Sequence, residues 1–470
     1  MSPFPGLASG LARRIGFKNT ASMLVLAGAA LIFVLPAPEG VGADTMRAGG
    51  LALFAIGFWA IGIWSIGMTA IAFFFVAAVM DVQPPAVIFS GFSSKAMWLV
   101  FGGLVIGVAV GHTGLGARMA RSMVTRLGHS YLAIILGIAV VCMVLGFLMP
   151  SSMGRIVLLV PIVMALAEKM GYARGSRGHT GMVLATALIT FTSAGTILPA
   201  LVPGIALAGL AENLYGMTFT YGEYLKLHLP VLGIVKCAFI ICLTVIMFSE
   251  PPQVSDNDDA RTPMRREEIL LTVILIIAIG LWMTDFLHGI AAAWVALGAA
   301  VLILVPGLGL APANALNDKV DYGGILYTAA VLGLSLIVVK SGLGALTGKW
   351  LLSVFPFEKD ADALNYGFLA IISTLTPLVT TNPGVPAILS PLAREFAAAT
   401  GMGLETVLMT QVIGFTNVIL PYQASPLMVA MVMGGVRLAD AVKMTLITTA
   451  FGILVLIPLN YLWWLWLGVL

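Results

Sequence analysis

The sequence predicts an all-α polytopic membrane protein with about eleven transmembrane helices and two re-entrant helical hairpins, arranged as an inverted repeat. Three observations predict this fold class. The 470 residues are 60% hydrophobic and only 10% charged, which no soluble core could bury. Many apolar runs approach or exceed the roughly 20 residues that cross a bilayer as a helix. Finally, the order of these runs starts again after a polar segment near the middle of the chain.

The N-terminal segment, residues 1–48, contains the first apolar run at 21–36. Arg13, Arg14 and Lys18 precede this run, as in a secretory signal. Many further spans follow, and no convincing small-residue cleavage site stands behind the run. We therefore expect a retained first helix. Lys and Arg are more numerous in the predicted inner segments, which places the N-terminus in the cytoplasm.

The first repeat, residues 49–249, is predicted to contain three spans, a surface helix, an interrupted helix pair (the inner hairpin), a broken span and a final span. The surface helix carries Arg118, Arg121 and Arg126 beside apolar neighbours, which is typical of a helix lying along a membrane. We expect Lys236 near the end of the final span. The predicted bounds are 50–66, 69–87, 96–114, 115–127, 131–170, 181–212 and 229–248.

A polar segment, residues 250–268, divides the chain, and its prolines, acids and arginines indicate a solvated cytoplasmic linker. The second repeat, residues 269–470, then starts the same order again with an outer hairpin at 365–398. Its end is rich in Trp and Tyr, which is typical of a membrane interface. The predicted bounds are 269–286, 289–306, 324–342, 344–355, 365–398, 403–434 and 442–467.

Matching sequence motifs support a duplication. TGLGA at residues 113–117 matches SGLGA at 341–345, and each motif stands between a long span and an amphipathic piece. If each hairpin enters and leaves on one side, each repeat crosses the membrane an odd number of times. The second copy is then inverted relative to the first.

Four interruptions carry the functional prediction. We name them the first tip (residues 149–154), the second tip (380–384), the first break (195–203) and the second break (420–426). Backbone that leaves helical geometry inside a membrane exposes polar groups, each of which costs several kcal/mol when unpaired. Symmetric interruptions are typical of inverted-repeat transporters, in which helix N-termini face an anionic substrate.

Candidate ligand contacts lie at these four places. Arg155 follows the first tip, and its guanidinium suits bidentate binding of a carboxylate or another oxyanion, or it holds the hairpin instead. The Ser and Thr hydroxyls either contact ligands or bond back to their own helix. The predicted substrate contacts are Ser151, Ser152, Arg155, Thr380, Thr381, Asn382, Gln423 and Ser425. The predicted ion contacts are Ser151, Gly195, Thr196, Thr381 and Asn382.

The run AMWLVFGG at residues 96–103, the TGL start of the surface helix and the interrupted pairs containing Pro161 and Pro391 resemble the divalent anion:sodium symporter family. The resemblance implies a homodimer in which a transport domain slides as an elevator against a scaffold. Family members carry Ser-Asn-Thr at each tip, where it contacts substrate carboxylates and sodium. Ser151, Thr381 and Asn382 match that pattern here, Thr381 as a conservative change. The resemblance also implies a sodium ion, or an Arg155 that stands in its place.

We therefore predict a secondary active transporter of a small anion, such as a dicarboxylate, sulfate or another organic acid, in the cell membrane. Sodium- or proton-coupled symport is expected. Two alternatives stay open: a membrane subunit of a tripartite, binding-protein-dependent system, and an uncoupled channel or sensor.

No enzyme is predicted because no catalytic constellation appears. The basic residues are dispersed, so nucleic-acid binding has no support. Cys142, Cys237 and Cys242 lack metal-ligand spacing, and no cofactor is predicted beyond possible sodium.

Overall fold

The computed structural model describes most of the chain. Throughout that part the regular structure is helical and contains no strand, which confirms the all-α prediction. Arg121 and Arg126 of the predicted surface helix, Pro150 of the first tip and most of the predicted linker lie outside the described residues. The described residues are 5–38, 40–116, 118, 130–149, 151–251, 263–359, 361–378 and 380–470.

Helices follow the predicted order closely. The first part contains α1 (Pro5–Val34), α2 (Ala43–Ile61), α3 (Ile66–Val79), α4 (Lys95–Thr113), α5 (Tyr131–Leu148), α6 (Ser152–Lys169), α7 (Arg177–Gly195), α8 (Val202–Tyr215) and α9 (Tyr221–Phe248). The second part contains α10 (Arg266–Met283), α11 (Ala292–Leu304), α12 (Tyr322–Lys340), α13 (Leu343–Val354), α14 (Asp362–Leu375), α15 (Gly384–Leu389), α16 (Leu404–Thr416), α17 (Ser425–Gly434) and α18 (Leu438–Trp466).

The order of helices from α12 to α18 repeats the order from α4 to α9, with the amphipathic α13 standing where the predicted surface helix stands. Five of the described helices are long and apolar enough to cross a membrane: α4, α5, α9, α12 and α18. Shorter apolar helices, among them α3, α11, α16 and α17, accompany them. The number of spans, the re-entrant course of the hairpins and the inversion remain predictions.

Several bounds differ from the predicted ones. Helix α2 begins at Ala43 instead of at residue 50, and α3 ends at Val79 instead of at residue 87. Helix α1 begins at Pro5 instead of near residue 20, and α9 begins at Tyr221 instead of at residue 229. The additional residues at the starts of α1 and α9 include charged ones, Arg13 and Arg14 in α1 and Glu223 and Lys226 in α9. A prediction from hydropathy leaves such residues out of a membrane span. Thr220 caps α9 through a reciprocal capping box with Glu223, so local chemistry sets this start.

Helix α9 contains an unusual turn. Leu229–Val235 is π-helical, and Pro230 lies inside it. Proline lacks an N–H and displaces the carbonyl four residues earlier, so the helix has to widen there. That carbonyl, on Lys226, accepts a hydrogen bond of 3.0 Å from the Trp463 indole. Helix α18 also contains a π-helical turn, Gly452–Leu456.

Small residues allow close packing outside the tips and breaks. Helix α4 packs along α11, and a Cβ on Gly102 would lie 2.6 Å from the Ala296 carbonyl carbon. Helix α3 packs along α12, where a Cβ on Gly67 would lie 2.6 Å from the Gly323 Cα. Such contacts are typical of helices that associate in membranes.

The hairpin helices and broken spans pack on one another across the two parts of the chain. Helices α5 and α6 pack on α7, and α14 packs on α16. In addition, α6 packs on α17 and α15 packs on α8. Each hairpin therefore contacts the first half of its own broken span and the second half of the other one, which brings all four interruptions into one body.

Candidate functional site

The first tip is a short extended segment between α5 and α6. Met149 and Ser151 both have extended backbone angles, so the helical course ends before the tip and starts again after it. The Ser151 hydroxyl accepts a hydrogen bond of 3.1 Å from the Gly154 nitrogen and so caps α6. Ser152, the first residue of α6, is buried. The tip thus presents the positive end of α6.

Arg155 links the first tip to the first break. Its guanidinium is fully buried. Nε donates to the Ser151 carbonyl at 3.4 Å and Nη2 donates to the Ala200 carbonyl at 3.3 Å. Nη1 has no partner among the described residues, and none of the ion pairs in that part of the chain involves Arg155. The site therefore holds a buried positive charge with a free donor.

The first break starts where α7 ends at Gly195. The Gly195 carbonyl accepts a hydrogen bond of 2.9 Å from the Tyr224 hydroxyl. The Thr196 hydroxyl donates to the Ser193 carbonyl at 2.9 Å, so Thr196 bonds back into its own helix. A single 3-10 turn, Leu198–Ala200, then leads into α8. This turn is what exposes the Ala200 carbonyl to Arg155.

The second tip and the second break are joined directly. The Asn382 nitrogen donates to the Gln423 carbonyl at 3.1 Å. Gln423 Oε1 accepts from the Ile419 nitrogen at 2.7 Å and the Leu420 nitrogen at 2.9 Å. Both side chains are fully buried, yet Gln423 Nε2 and both polar atoms of the Asn382 amide have no partner among the described residues. These unpaired atoms are candidates for ligand contact.

The other predicted residues of the second half lie at the edges of this pair. Thr380 is buried, and the Thr381 carbonyl accepts from the Gly384 nitrogen at 2.8 Å, which closes the turn before α15. Ser425, the first residue of α17, is exposed. A Cβ on Gly384 would lie 2.4 Å from the Thr380 hydroxyl, so a larger residue at position 384 would displace the Thr380 side chain.

The two halves of the site meet through the C-terminal ends of α7 and α16. A Cβ on Gly195 would lie 2.2 Å from the Thr416 Cγ2, so the two helix ends touch. Of the hydrogen bonds in the described part of the chain, none joins the first tip directly to the second tip. The predicted residues therefore form two clusters, Arg155 with the first break and Asn382 with Gln423, in one packed body.

Lys236 is the residue that sequence reasoning missed. The expectation that it lies near a span end is wrong: its side chain is buried, and Nζ donates to the Thr416 carbonyl at 2.7 Å and to Asn417 Oδ1 at 2.6 Å. The early start of α9 places it near the middle of that helix. A lone lysine in a long apolar run, six residues after Pro230, is the signal that could have found it.

An open cleft of about 250 Å³ lies beside the first break. Leu198 lines it together with α4, α8 and the start of α11, and the ion pair of Lys95 and Glu212 lies at its rim. The predicted substrate residues are not among those lining this cleft. Among the described residues no cluster of His, Cys, Asp or Glu could hold a metal ion.

A family model, sequence relatives and a solved structure all match this chain to transporters. The model of the sodium:sulfate symporter transmembrane region matches residues 17–470. A putative malate transporter of Bacillus subtilis is 25% identical over 303 residues, covering 60% of this chain and 62% of that protein. An L-tartrate/succinate antiporter of Escherichia coli is 27% identical over 211 residues, covering 41% and 42%.

Among solved structures, the YdaH transporter of Alcanivorax borkumensis superposes with a TM-score of 0.57 at 14% sequence identity. The match covers 91% of this chain and 99% of that one, and at this identity it supports the fold alone. Because the family match spans nearly the whole sequence, the chain belongs to the divalent anion:sodium symporter family, whose members share the sodium:sulfate symporter transmembrane region.

Proposed function

We propose that this chain is a secondary active transporter of small dicarboxylates in the cell membrane, with the substrate held at the two tips and two breaks. The observation that carries the proposal is Arg155. A fully buried guanidinium without a carboxylate partner in the described part of the chain is costly. An anionic substrate would supply the missing charge and accept from the free Nη1.

The unpaired amides support a second anchoring point. Gln423 Nε2 and the Asn382 amide are buried without partners, and each unsatisfied buried polar group costs about 1–3 kcal/mol. A dicarboxylate offers two separate oxyanion groups. We infer that one carboxylate binds Arg155 and the N-terminus of α6, where Ser151 and Ser152 lie, and that the other binds the amides at the second tip.

The remaining predicted contacts extend this arrangement. Thr380 and Thr381 would line the second tip, Ser425 would lie at its open side, and Gly195 and Thr196 would supply oxygens at the first break. The malate and the tartrate/succinate carriers among the relatives favour dicarboxylates over sulfate. For the transport step we propose an elevator movement in a homodimer, with the hairpins and broken spans moving against α4, α11 and their neighbours.

Thermal unfolding of purified protein tests the proposal. Melting temperatures would be compared with and without malate, succinate, tartrate and sulfate. We expect dicarboxylates to raise the melting temperature of the wild type, and Arg155→Gln to weaken their apparent affinity at least about tenfold, as for a lost charge-assisted hydrogen bond.

Arg177→Gln is the matched control, because Arg177 also donates to a carbonyl, that of Met247, but lies on the surface. An unchanged dicarboxylate response in Arg155→Gln would contradict the site. Accumulation of labelled dicarboxylate against a gradient in proteoliposomes would separate an active transporter from an uncoupled channel or sensor.

A further inference from the structure

Lys236 is a buried cation that the proposed substrate site does not use. It follows the π-helical turn of α9 and points its side chain at the end of α16. Its Nζ atom lies 2.7 Å from the Thr416 carbonyl oxygen and 2.6 Å from Asn417 Oδ1. In the described part of the chain it has no ion-pair partner.

The charge of Lys236 is instead compensated by dipoles. Thr416 is the last residue of α16, and the C-terminal end of a helix carries partial negative charge on its free carbonyls. Asn417 adds a side-chain oxygen and is held in turn by its own bond to the Thr374 hydroxyl at 3.4 Å. A carbonyl and an amide oxygen at the end of a discontinuous helix are the ligands that transporters use for a coupling cation such as sodium.

A sodium ion does not fit at these oxygens while Lys236 is present. A cation and the ammonium group would compete for the same two oxygens, and two like charges a few ångströms apart repel strongly in a buried site. The first break shows the same arrangement, since Arg155 donates to the Ser151 and Ala200 carbonyls. At each broken span, a buried basic side chain thus donates to a backbone carbonyl, Arg155 to that of Ala200 and Lys236 to that of Thr416.

We propose that Lys236 is a tethered cation that takes the place of a co-transported sodium ion at the end of α16. The proposal rests on the transport function proposed above. It has a direct consequence: the positive charge beside the second break belongs to the protein and moves with it, so anion binding and transport need no sodium at this position.

The test compares Lys236→Ala with wild type by thermal unfolding in sodium chloride and in choline chloride at equal ionic strength. We expect the wild type to melt at the same temperature in both salts. Lys236→Ala should melt several degrees lower in choline and regain at least half of that loss in sodium, with a saturable dependence, because the oxygens are then free to bind the ion. Propylammonium, which replaces the missing end of the lysine side chain, should also raise the melting temperature of Lys236→Ala.

Lys226→Ala is the matched control, because Lys226 lies on the same helix but is exposed; it should show no sodium response. If Lys236→Ala does not fold, Lys236→Met serves instead, since it removes both the charge and the donor and keeps most of the side-chain volume. An equal sodium response in wild type and variant, including none in either, would overturn the proposal. Dicarboxylate shifts measured on the same wild-type sample report separately whether the proposed transport function fails.

Discussion

The main-chain nitrogen of Asn382 donates to the carbonyl of Gln423 at 3.1 Å, while the Asn382 side-chain amide bonds to nothing in the described part of the protein. The backbone of this residue therefore connects the second tip to the second break. Its side chain is left available for a ligand.

We expect Asn382→Ala to leave thermal stability unchanged or slightly higher, because the substitution removes a buried amide without internal bonds. The dicarboxylate-induced rise in melting temperature should fall to less than about half, since a lost ligand hydrogen bond contributes on the order of 1 kcal/mol. Differential scanning fluorimetry with a succinate titration measures both quantities.

Asn365→Ala provides the opposite behaviour as a control. The Asn365 amide donates to the Glu358 carbonyl at 2.6 Å and to the Thr400 carbonyl at 3.3 Å. Its loss should therefore lower stability and leave the succinate affinity intact. If the two variants behave alike, the assignment of Asn382 to the ligand fails.

The contact of Gly195 with Thr416 predicts a rescue. Gly195→Ala would place its Cβ 2.2 Å from the Thr416 Cγ2 and should destabilise the protein by about 1–3 kcal/mol through overpacking. Thr416→Ser removes that methyl group and keeps the hydroxyl that bonds to the Val412 carbonyl. The double variant should recover most of the loss. Thermal unfolding of the four proteins gives the coupling energy, and simple additivity would argue against this contact.

Gly414 allows α16 to approach α14 at the main chain. A Cβ there would lie 2.1 Å from the Ser373 carbonyl oxygen, so Gly414→Ala should destabilise the protein by about 3 kcal/mol. Gly367 lies in α14 with nothing within 4 Å of its added Cβ. Gly367→Ala should therefore stabilise by up to about 1 kcal/mol, because alanine favours helix. If Gly414→Ala and Gly367→Ala shift the melting temperature in the same direction, the close packing of α16 on α14 at Gly414 is contradicted.

The ion pair of Lys95 and Glu212 joins α4 to α8 at 2.5 Å, which is the boundary that the proposed elevator movement has to cross. Because both side chains are partly exposed, the pair should contribute less than about 1 kcal/mol to stability. Lys95→Met should therefore change the uptake rate in proteoliposomes by up to about fivefold with little change in melting temperature.

Exchanging the two charges, Lys95→Glu with Glu212→Lys, should return the uptake rate toward that of the wild type. Asp440→Asn is the control, because its pair with Arg437 lies within the start of α18. If Lys95→Met leaves the uptake rate unchanged, this ion pair has no role in the proposed elevator movement.

The interruptions were predictable because their residues are unusual in membrane helices. Ser151, Asn382 and the prolines near the breaks stand out from apolar surroundings, and the structure departs from helical geometry at those places. The pairing of Asn382 with Gln423 was not predictable, since it joins residues that are distant in the sequence. The position of Lys236 was predicted wrongly because the span was expected to start beside Pro230. The helix instead continues through Pro230 as a π turn.

The wide turn at Leu229–Val235 determines the direction of the Lys236 side chain. An α-helix rotates about 100° per residue, and a π turn holds one residue more than the α-helical turn that it replaces. If the same residues formed regular α-helix, Lys236 would therefore point about 100° away from its present direction relative to the start of α9. The ammonium group would then leave the Thr416 carbonyl without any substitution.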